Sequence, residues 1–491
     1  MSQLDLLLIN APSRATVYGE LARDLAAIEP PVWAGLIARY CLDRGFSVQI
    51  LDAEAEGLSV QKTAFEILRA NPRLAAFTVY GHQPSASTQC LPAASAVAAE
   101  LRRITRDPIR TLALGTHPSA LPERTSLEEP FDYVCEGEGH RLIDCLLRRG
   151  ERATPGLWMK GKKSWGSVPK AEDLDAELPG QAWELLDLKR YRAHNWHLWT
   201  GDLVGGYASV QTSLGCPFRC TFCCINAPFG GAGIRYWSRA AVCAQIYELY
   251  HAHGITNIKI PDEMFCLNRQ HVLGICDGLI KLGLGKRLNL WAYARVDTVK
   301  DVEMLERMRT AGFRWLGIGI ESGSKHVRDG VAKGRFGDDD IRAAIKRVQA
   351  AGITVAANYI FGLPDDTHES MQATLDLACE LNTEWANFYC AMAYPGSALH
   401  QVAVEKGWPL PEGPGGPGWI GYAQHAYEAL PLPTYGLTSA QVLDFRDEAF
   451  LRYFERTEYL SLIGDRFGDA AGKSVLKMLA YGKPKRKHRD G

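Results

Sequence analysis

Two separate runs of strand-and-helix alternation constrain this chain more than any other feature. Within residues 1–150, β-rich runs at 6–10, 47–52, 75–80, 111–115 and 133–136 alternate with stretches such as 32–44, 60–70 and 86–103, where apolar residues recur at helical spacing. Alternation of that kind requires a doubly wound, Rossmann-like α/β sheet with its ligand crevice at the carboxyl ends of the strands. The pattern weakens over 151–202, where Pro155, Gly156, Pro169, Pro179 and Gly180 interrupt charged residues, and this stretch reads as a linker with some docked structure.

Alternation resumes in 203–400. Six candidate strands, at 208–214, 257–261, 289–294, 315–320, 354–361 and 385–394, are each followed by a helical segment except the last. Six steps are two short of a closed eight-stranded barrel, so a partial (β/α)6 barrel is expected, with its site at the strand carboxyl ends. The remainder, 401–491, contains a Pro/Gly-rich stretch at 409–418 and helical segments at 439–457 and 469–481. It is predicted to be a small, mainly α region that caps a substrate cavity. A chain of 491 residues fits such a multidomain plan.

Charge narrows the partners. The chain has 55 basic and 56 acidic residues, a net charge of −1, so no overall field favours nucleic acid or a membrane surface. The basic run at 483–489 reads as a solvated end. Thirteen cysteines, an odd number without regular spacing, fit a reducing cytoplasm better than a secreted scaffold. The opening residues show no signal-peptide pattern, and no apolar run of about 18 residues predicts a membrane span.

The densest chemistry lies in Leu214-Gly215-Cys216-Pro217-Phe218-Arg219-Cys220-Thr221-Phe222-Cys223-Cys224, just after the first strand of the second domain. Three thiolates on one loop suit three corners of a cubane cluster and leave the fourth iron open, as catalytic metal sites leave a position open. A zinc knuckle or a group of buried thiols is the structural alternative, and Cys224 is an alternative third ligand. Cys266, after the second barrel strand, is a candidate active-site thiol. Asp262 and Glu263 end that strand and are candidates for proton transfer or substrate orientation, or else a helix-start acidic pair.

The Cys-x-x-x-Cys-x-x-Cys spacing in this position resembles the radical S-adenosylmethionine family. The resemblance implies a four-iron, four-sulfur cluster on Cys216, Cys220 and Cys223, with S-adenosylmethionine chelating the open iron. The segment from Gly317 to Ser324 is similar to the family's fourth-strand motif, which implies that Gly319, Glu321 and Ser322 border S-adenosylmethionine. By the same likeness Arg295 meets a carboxylate from the third strand. Asn358 and Gly362 belong to the fifth strand that borders adenine, and Phe222 flanks the same base.

A second resemblance covers the first domain. Ala113-Leu114-Gly115-Thr116-His117-Pro118, followed by Cys135-Glu136-Gly137-Glu138-Gly139, looks like the cobalamin-binding domain fused ahead of many radical S-adenosylmethionine enzymes. The likeness implies a corrin crevice lined by Tyr80, His82, Gly115, Thr116 and His117. The first strand runs into Asn10-Ala11-Pro12-Ser13-Arg14 and lacks the Asp-x-His-x-x-Gly of methionine synthase-like domains, which implies cobalamin held without a protein histidine ligand.

Together the resemblances imply the cobalamin-dependent class that includes the anaerobic magnesium-protoporphyrin cyclase and many methyltransferases. The expected activity is methyl transfer to an unactivated carbon of a small-molecule substrate, with an external flavodoxin- or ferredoxin-type electron donor. A cobalamin-independent dehydratase, cyclase or rearrangement enzyme is the rival enzyme, and a cobalamin or redox sensor the rival outside catalysis.

Overall fold

A computed structural model describes residues 3–81, 86–105, 107–200, 206–334 and 336–490. The first sheet contains β1 (Leu6–Asn10), β2 (Val48–Asp52), β3 (Leu74–Val79), β4 (Arg110–Gly115), β5 (Tyr133–Cys135), β6 (Leu157–Met159) and β7 (Lys162–Lys163) in the order β2-β1-β3-β4-β5-β6-β7. It is parallel through β5, and β6 and β7 add antiparallel to that edge. The segment expected as a linker therefore contributes two edge strands.

Side-chain alternation divides each strand between two layers. Leu6 and Leu8 pack with the helices Val32–Leu42 and His140–Arg149, whereas Leu7 and Ile9 pack with Val60–Ala70 and Ser87–Ile104. The central strand β3 is buried along its whole length, as a sheet covered on both faces requires. Strand order reverses between β1 and β3, which opens a crevice at their carboxyl ends.

The second sheet contains β8 (Gly206–Ser209) and, beyond the short hairpin of β9 (Ser213–Leu214) and β10 (Arg235–Tyr236), β11 (Ile255–Ile260), β12 (Asn289–Arg295), β13 (Phe313–Glu321), β14 (Thr354–Phe361) and β15 (Trp385–Cys390). Its six strands are parallel and follow sequence order, the expected half-barrel. The strand expected over 208–214 is divided. After Ser209 the chain leaves the sheet because the Asp262 carboxylate, at the end of β11, accepts Thr212 N at 2.8 Å and the Thr212 and Ser213 hydroxyls at 2.6 Å each. Ser213 and Leu214 then pair antiparallel with β10, and this hairpin flanks the cysteine loop.

The floor of the half-barrel is tryptophan. Trp196, from the 3-10 turn Asn195–Thr200, meets Trp291 edge-on at 5.2 Å and Trp315 at 4.8 Å between ring centroids. One apolar core continues from the helix Val32–Leu42 through Leu178 and Trp183 into the barrel. The C-terminal region holds three helices, Ser439–Phe454, Thr457–Phe467 and Asp469–Leu479, where two segments were expected; the middle one begins just past Arg456.

The basic end is exposed at Lys483, Lys485, Lys487, His488 and Arg489, as its composition suggested, but one residue of it departs from that reading. Arg486 is fully buried, and both its Nε and Nη2 donate to Asp447. An aspartate on a neighbouring helix supplies the countercharge that a local reading of the run leaves out. Among the described residues, no helix is long and apolar enough to cross a membrane.

Candidate active site

The carboxyl ends of the barrel strands open into a chamber of about 720 Å³. Period-two alternation sends Lys259 of β11, Trp291, Tyr293 and Arg295 of β12, Gly317, Gly319 and Glu321 of β13, Asn358 of β14 and Asn387 of β15 to its walls. Cys216, Cys220, Cys223, Cys224 and Phe222 line its roof. The roof loop is held from within: Asn226 Oδ1 accepts Cys216 N at 3.1 Å, and Asn226 Nδ2 donates to Cys216 O at 2.9 Å.

The donor set fits an iron–sulfur cubane. Each thiolate of a cubane binds a different iron, so the sulfurs need not converge on one point. Among the described residues, no three His, Cys, Asp or Glu side chains form a single-ion site. The Arg295 guanidinium lies 3.9 Å from the centroid of the Phe218 ring and places Nη1 3.7 Å from Cys220 Sγ. Arg295 also binds Asp297 at 3.0 and 3.2 Å, so the carboxylate it meets within the chain is its neighbour's.

The strand expected to border S-adenosylmethionine is distorted at the relevant point. Between Gly319 and Glu321 the register with β14 shifts, and Glu321 has φ of 68°. That conformation is uncommon for a residue with a Cβ and concentrates at ligand sites. The Glu321 carboxylate is ion-paired with Lys333. A Cβ on Gly319 would fall 2.6 Å from Glu321 Oε1 and 2.8 Å from Lys333 Nζ, so this glycine leaves room for the pair. Asn358 Oδ1 accepts Asn387 Nδ2 at 2.8 Å.

A smaller crevice of about 110 Å³ lies against the strand ends of the first domain. Tyr80 and Thr116 line it, and Tyr80 stacks on Trp33 with centroids 5.0 Å apart. The Tyr80 hydroxyl is buried with no hydrogen-bond partner among the described residues, a donor that a ligand's amide groups suit. Chamber and crevice share Tyr18, Gln89, Ile225 and Glu263 as walls. The crevice alone is too small for a corrin, which would also need the space behind the shared walls.

Glu263 faces both spaces. Burial pushes its carboxyl up to about 7, with Asp262 and Glu321 adding to the effect and Lys259 and Lys333 opposing it. Asp262, by contrast, is saturated by Thr212 and Ser213 and borders the crevice alone. Its geometry is that of a clamp on the chain entering the cysteine loop.

Several expected site residues lie elsewhere. The Ser322 hydroxyl is buried against Thr374 at 3.2 Å and accepts Ser324 N, away from the chamber. The Gly362 amide donates to Asp366, and a Cβ there would meet Val442 at 2.4 Å, so it is a close-packing position beside the C-terminal helix. Buried His117 sets Nδ1 3.1 Å from Thr88 Oγ1 and its ring edge-on to Trp419, lining neither space. Gly115 sits behind Thr116 at the β4 end, and His82 lies outside the described residues. Cys266 is buried in the core with its sulfur 4.0 Å from Met308 Sδ.

Sequence reading missed the walls supplied by distant segments. His194, Trp196 and Trp199 come from the linker, and Arg446 and Lys485 from the C-terminal region. Glu29, from the first domain, binds Lys259 inside the barrel. No periodic pattern marks such residues.

Residues 210–378 match the radical SAM superfamily, and residues 21–146 match the B12 binding domain. An uncharacterized methyltransferase of Pyrococcus horikoshii is 28% identical over 415 residues, 82% of this chain and 84% of that protein. The anaerobic magnesium-protoporphyrin IX monomethyl ester cyclase of Cereibacter sphaeroides is 24% identical over 399 residues, which span 78% of this chain but 62% of the cyclase. The solved structure of the radical S-adenosylmethionine methyltransferase TsrM from Kitasatospora setae, with cobalamin and a [4Fe-4S] cluster bound, superposes with a TM-score of 0.64 at 18% identity. It covers 83% of this chain and 75% of that one, a likeness of fold.

Proposed function

Because residues 210–378 match the radical SAM superfamily and residues 21–146, ahead of the barrel, match the B12 binding domain, we propose that the chain is a cobalamin-dependent methyltransferase acting on an unactivated carbon of a small molecule. The observation that carries this reading is the shared wall. The cysteine loop, the distorted β13 end and the strand ends of the first domain border two adjoining spaces, with Glu263 facing both. When bound, the cluster with S-adenosylmethionine supplies a 5′-deoxyadenosyl radical, and cobalamin supplies a methyl group.

The protein's own residues divide the remaining work. Cys216, Cys220 and Cys223 hold three irons. Gly319, Glu321, Asn358 and Phe222 seat S-adenosylmethionine, and Arg295 stabilises the roof beside Cys220. Tyr80 and Thr116 meet the corrin at the first-domain strand ends. Glu263, which lines both spaces and whose carboxyl is pushed up by burial, would be the group to hold or move a proton there. Aromatic walls from Trp291, Tyr293 and Trp385 keep water from a reactive radical.

An external flavodoxin- or ferredoxin-type protein delivers the electron, and the reaction takes place in the cytoplasm. Thirteen free cysteines suit that reducing compartment.

The test is anaerobic reconstitution with iron, sulfide and hydroxocobalamin, followed by metal analysis and incubation with methyl-labelled S-adenosylmethionine and a reductant. About four irons with near-stoichiometric cobalt, deoxyadenosine release and labelled cobalamin are expected. Iron and deoxyadenosine without cobalt would replace this reading with a cobalamin-independent dehydration or rearrangement.

A further inference from the structure

The C-terminal region builds part of the chamber wall. Helix Ser439–Phe454 presents Arg446 and Phe450, helix Asp469–Leu479 presents Val475 and Met478, and the chain from Tyr481 to Lys485 runs along the rim. Trp199 and Trp385 line the same chamber, so apolar and aromatic side chains lie beside these charged ones.

Residues just beyond the rim hold it in place. Arg486 binds both oxygens of Asp447 at 2.8 and 3.0 Å and donates Nη1 to the carbonyls of Gln424 at 2.7 Å and Ala426 at 2.9 Å. Lys487 N donates to Tyr427 O at 2.9 Å, and His488 and Arg489 both reach Asp444. Residues 483–489 are thus a docked strap, and the buried guanidinium is its pin.

The acidic groups beside the strap are taken by cations. Asp447 is shared by Arg446, Arg486 and Arg489, Asp444 is taken by His488 and Arg489, and Glu448 is paired with Lys483. Lys485 is exposed on the rim and has no acidic partner among the described residues. His425, also on the wall, adds no charge, because burial and then Arg446 and Arg486 hold its imidazole well below the ordinary range.

We propose that this strap is the specificity element of the chamber: the substrate carries an apolar body and an anionic group, and Lys485, which lines the chamber without an acidic partner among the described residues, receives that anion. The proposal rests on the reading of the chamber as the reaction site. It makes the strap part of the binding site.

The experiment uses a matched pair of fluorescent probes, anilinonaphthalene sulfonate and its uncharged parent N-phenylnaphthylamine, titrated into the reconstituted full chain. The unsubstituted protein is expected to bind the sulfonate more tightly. K485A is expected to weaken the sulfonate about fivefold while changing the neutral probe less than about twofold. K485R is expected to retain the preference, and R486A, which unpins the strap, to lose it. Absence of a sulfonate preference in the unsubstituted protein, or its persistence in K485A, overturns the proposal. Iron and cobalt contents of the same samples report separately on the enzyme reading, so failure of one is distinguishable from failure of the other.

Discussion

Lys259, on the second strand of the half-barrel, closes its ammonium on the Glu29 carboxylate of the first domain at 2.8 and 3.0 Å, with both side chains shut off from solvent. The ammonium also lies 5.1 Å from the centroid of Trp291. This pair joins the two cofactor domains inside the chamber wall. Removing one partner of a buried pair leaves an uncompensated charge, at a cost of about 3–5 kcal/mol, whereas replacing both by apolar side chains is often nearly neutral. K259M and E29M should each lower the unfolding free energy of the apoprotein by about that amount, and the double variant should recover most of it. Additive losses in a denaturant titration would show that the two charges do not depend on each other.

Two cysteines separate ligation from packing. Cys216 lines the chamber roof, whereas Cys266 is buried beside Met308 and burial pushes its thiol up to about 12. After anaerobic reconstitution, C216A, C220A and C223A should each fail to retain a full cluster. C266A should keep the iron content of the unsubstituted chain and lose about 1 kcal/mol of stability from the small cavity. A full complement of iron in C216A would remove it from the ligand set.

What could be read from the sequence was periodic or local. Alternation fixed the two parallel sheets, and a tight cysteine spacing after a strand marked the roof, because both signals lie within a few residues of one another. The sides of the chamber obey neither condition. Glu29 and Lys259 are far apart in sequence, and Trp196 arrives from a stretch that looks like linker. Arg486, within the basic run at 483–489, looks solvated until Asp447 stands beside it. Ser322 and Gly362 do not line the chamber for a related reason: a motif says which residues share a strand end, but the bulge at Glu321 and the packing of Val442 decide which of them face the open space.

Gly115 ends β4 with φ of 147°, and a Cβ there would fall 2.1 Å from the Val79 carbonyl oxygen. Only glycine lets the ends of β3 and β4 approach so closely where Tyr80 and Thr116 meet the crevice. G115A should force these strand ends apart and reduce cobalt retention, leaving the barrel's iron content unchanged. Equal loss of iron and cobalt would mean that the substitution unfolds the whole chain and does not act on the crevice alone.

Asp52 ends β2 and accepts Asn10 Nδ2 and the Tyr191 hydroxyl at 2.8 Å each, tying the first domain to the linker. Burial raises its carboxyl from 3.8 to about 6, despite hydrogen bonds from Ala55, Tyr191 and Asn10 that favour the charged form. A group whose pKa is higher folded than unfolded holds more protons in the folded state between the two values. Its contribution to stability therefore falls as pH rises from about 4 to about 6 and is level above that, with a slope of at most about 1.4 kcal/mol per pH unit. D52N keeps an acceptor but cannot titrate, so its stability should vary less over this window and run parallel to the unsubstituted protein above about pH 6. Denaturant titrations of both apoproteins at several pH values measure the difference. Identical slopes below pH 6 would show that the buried Asp52 does not take up the proton.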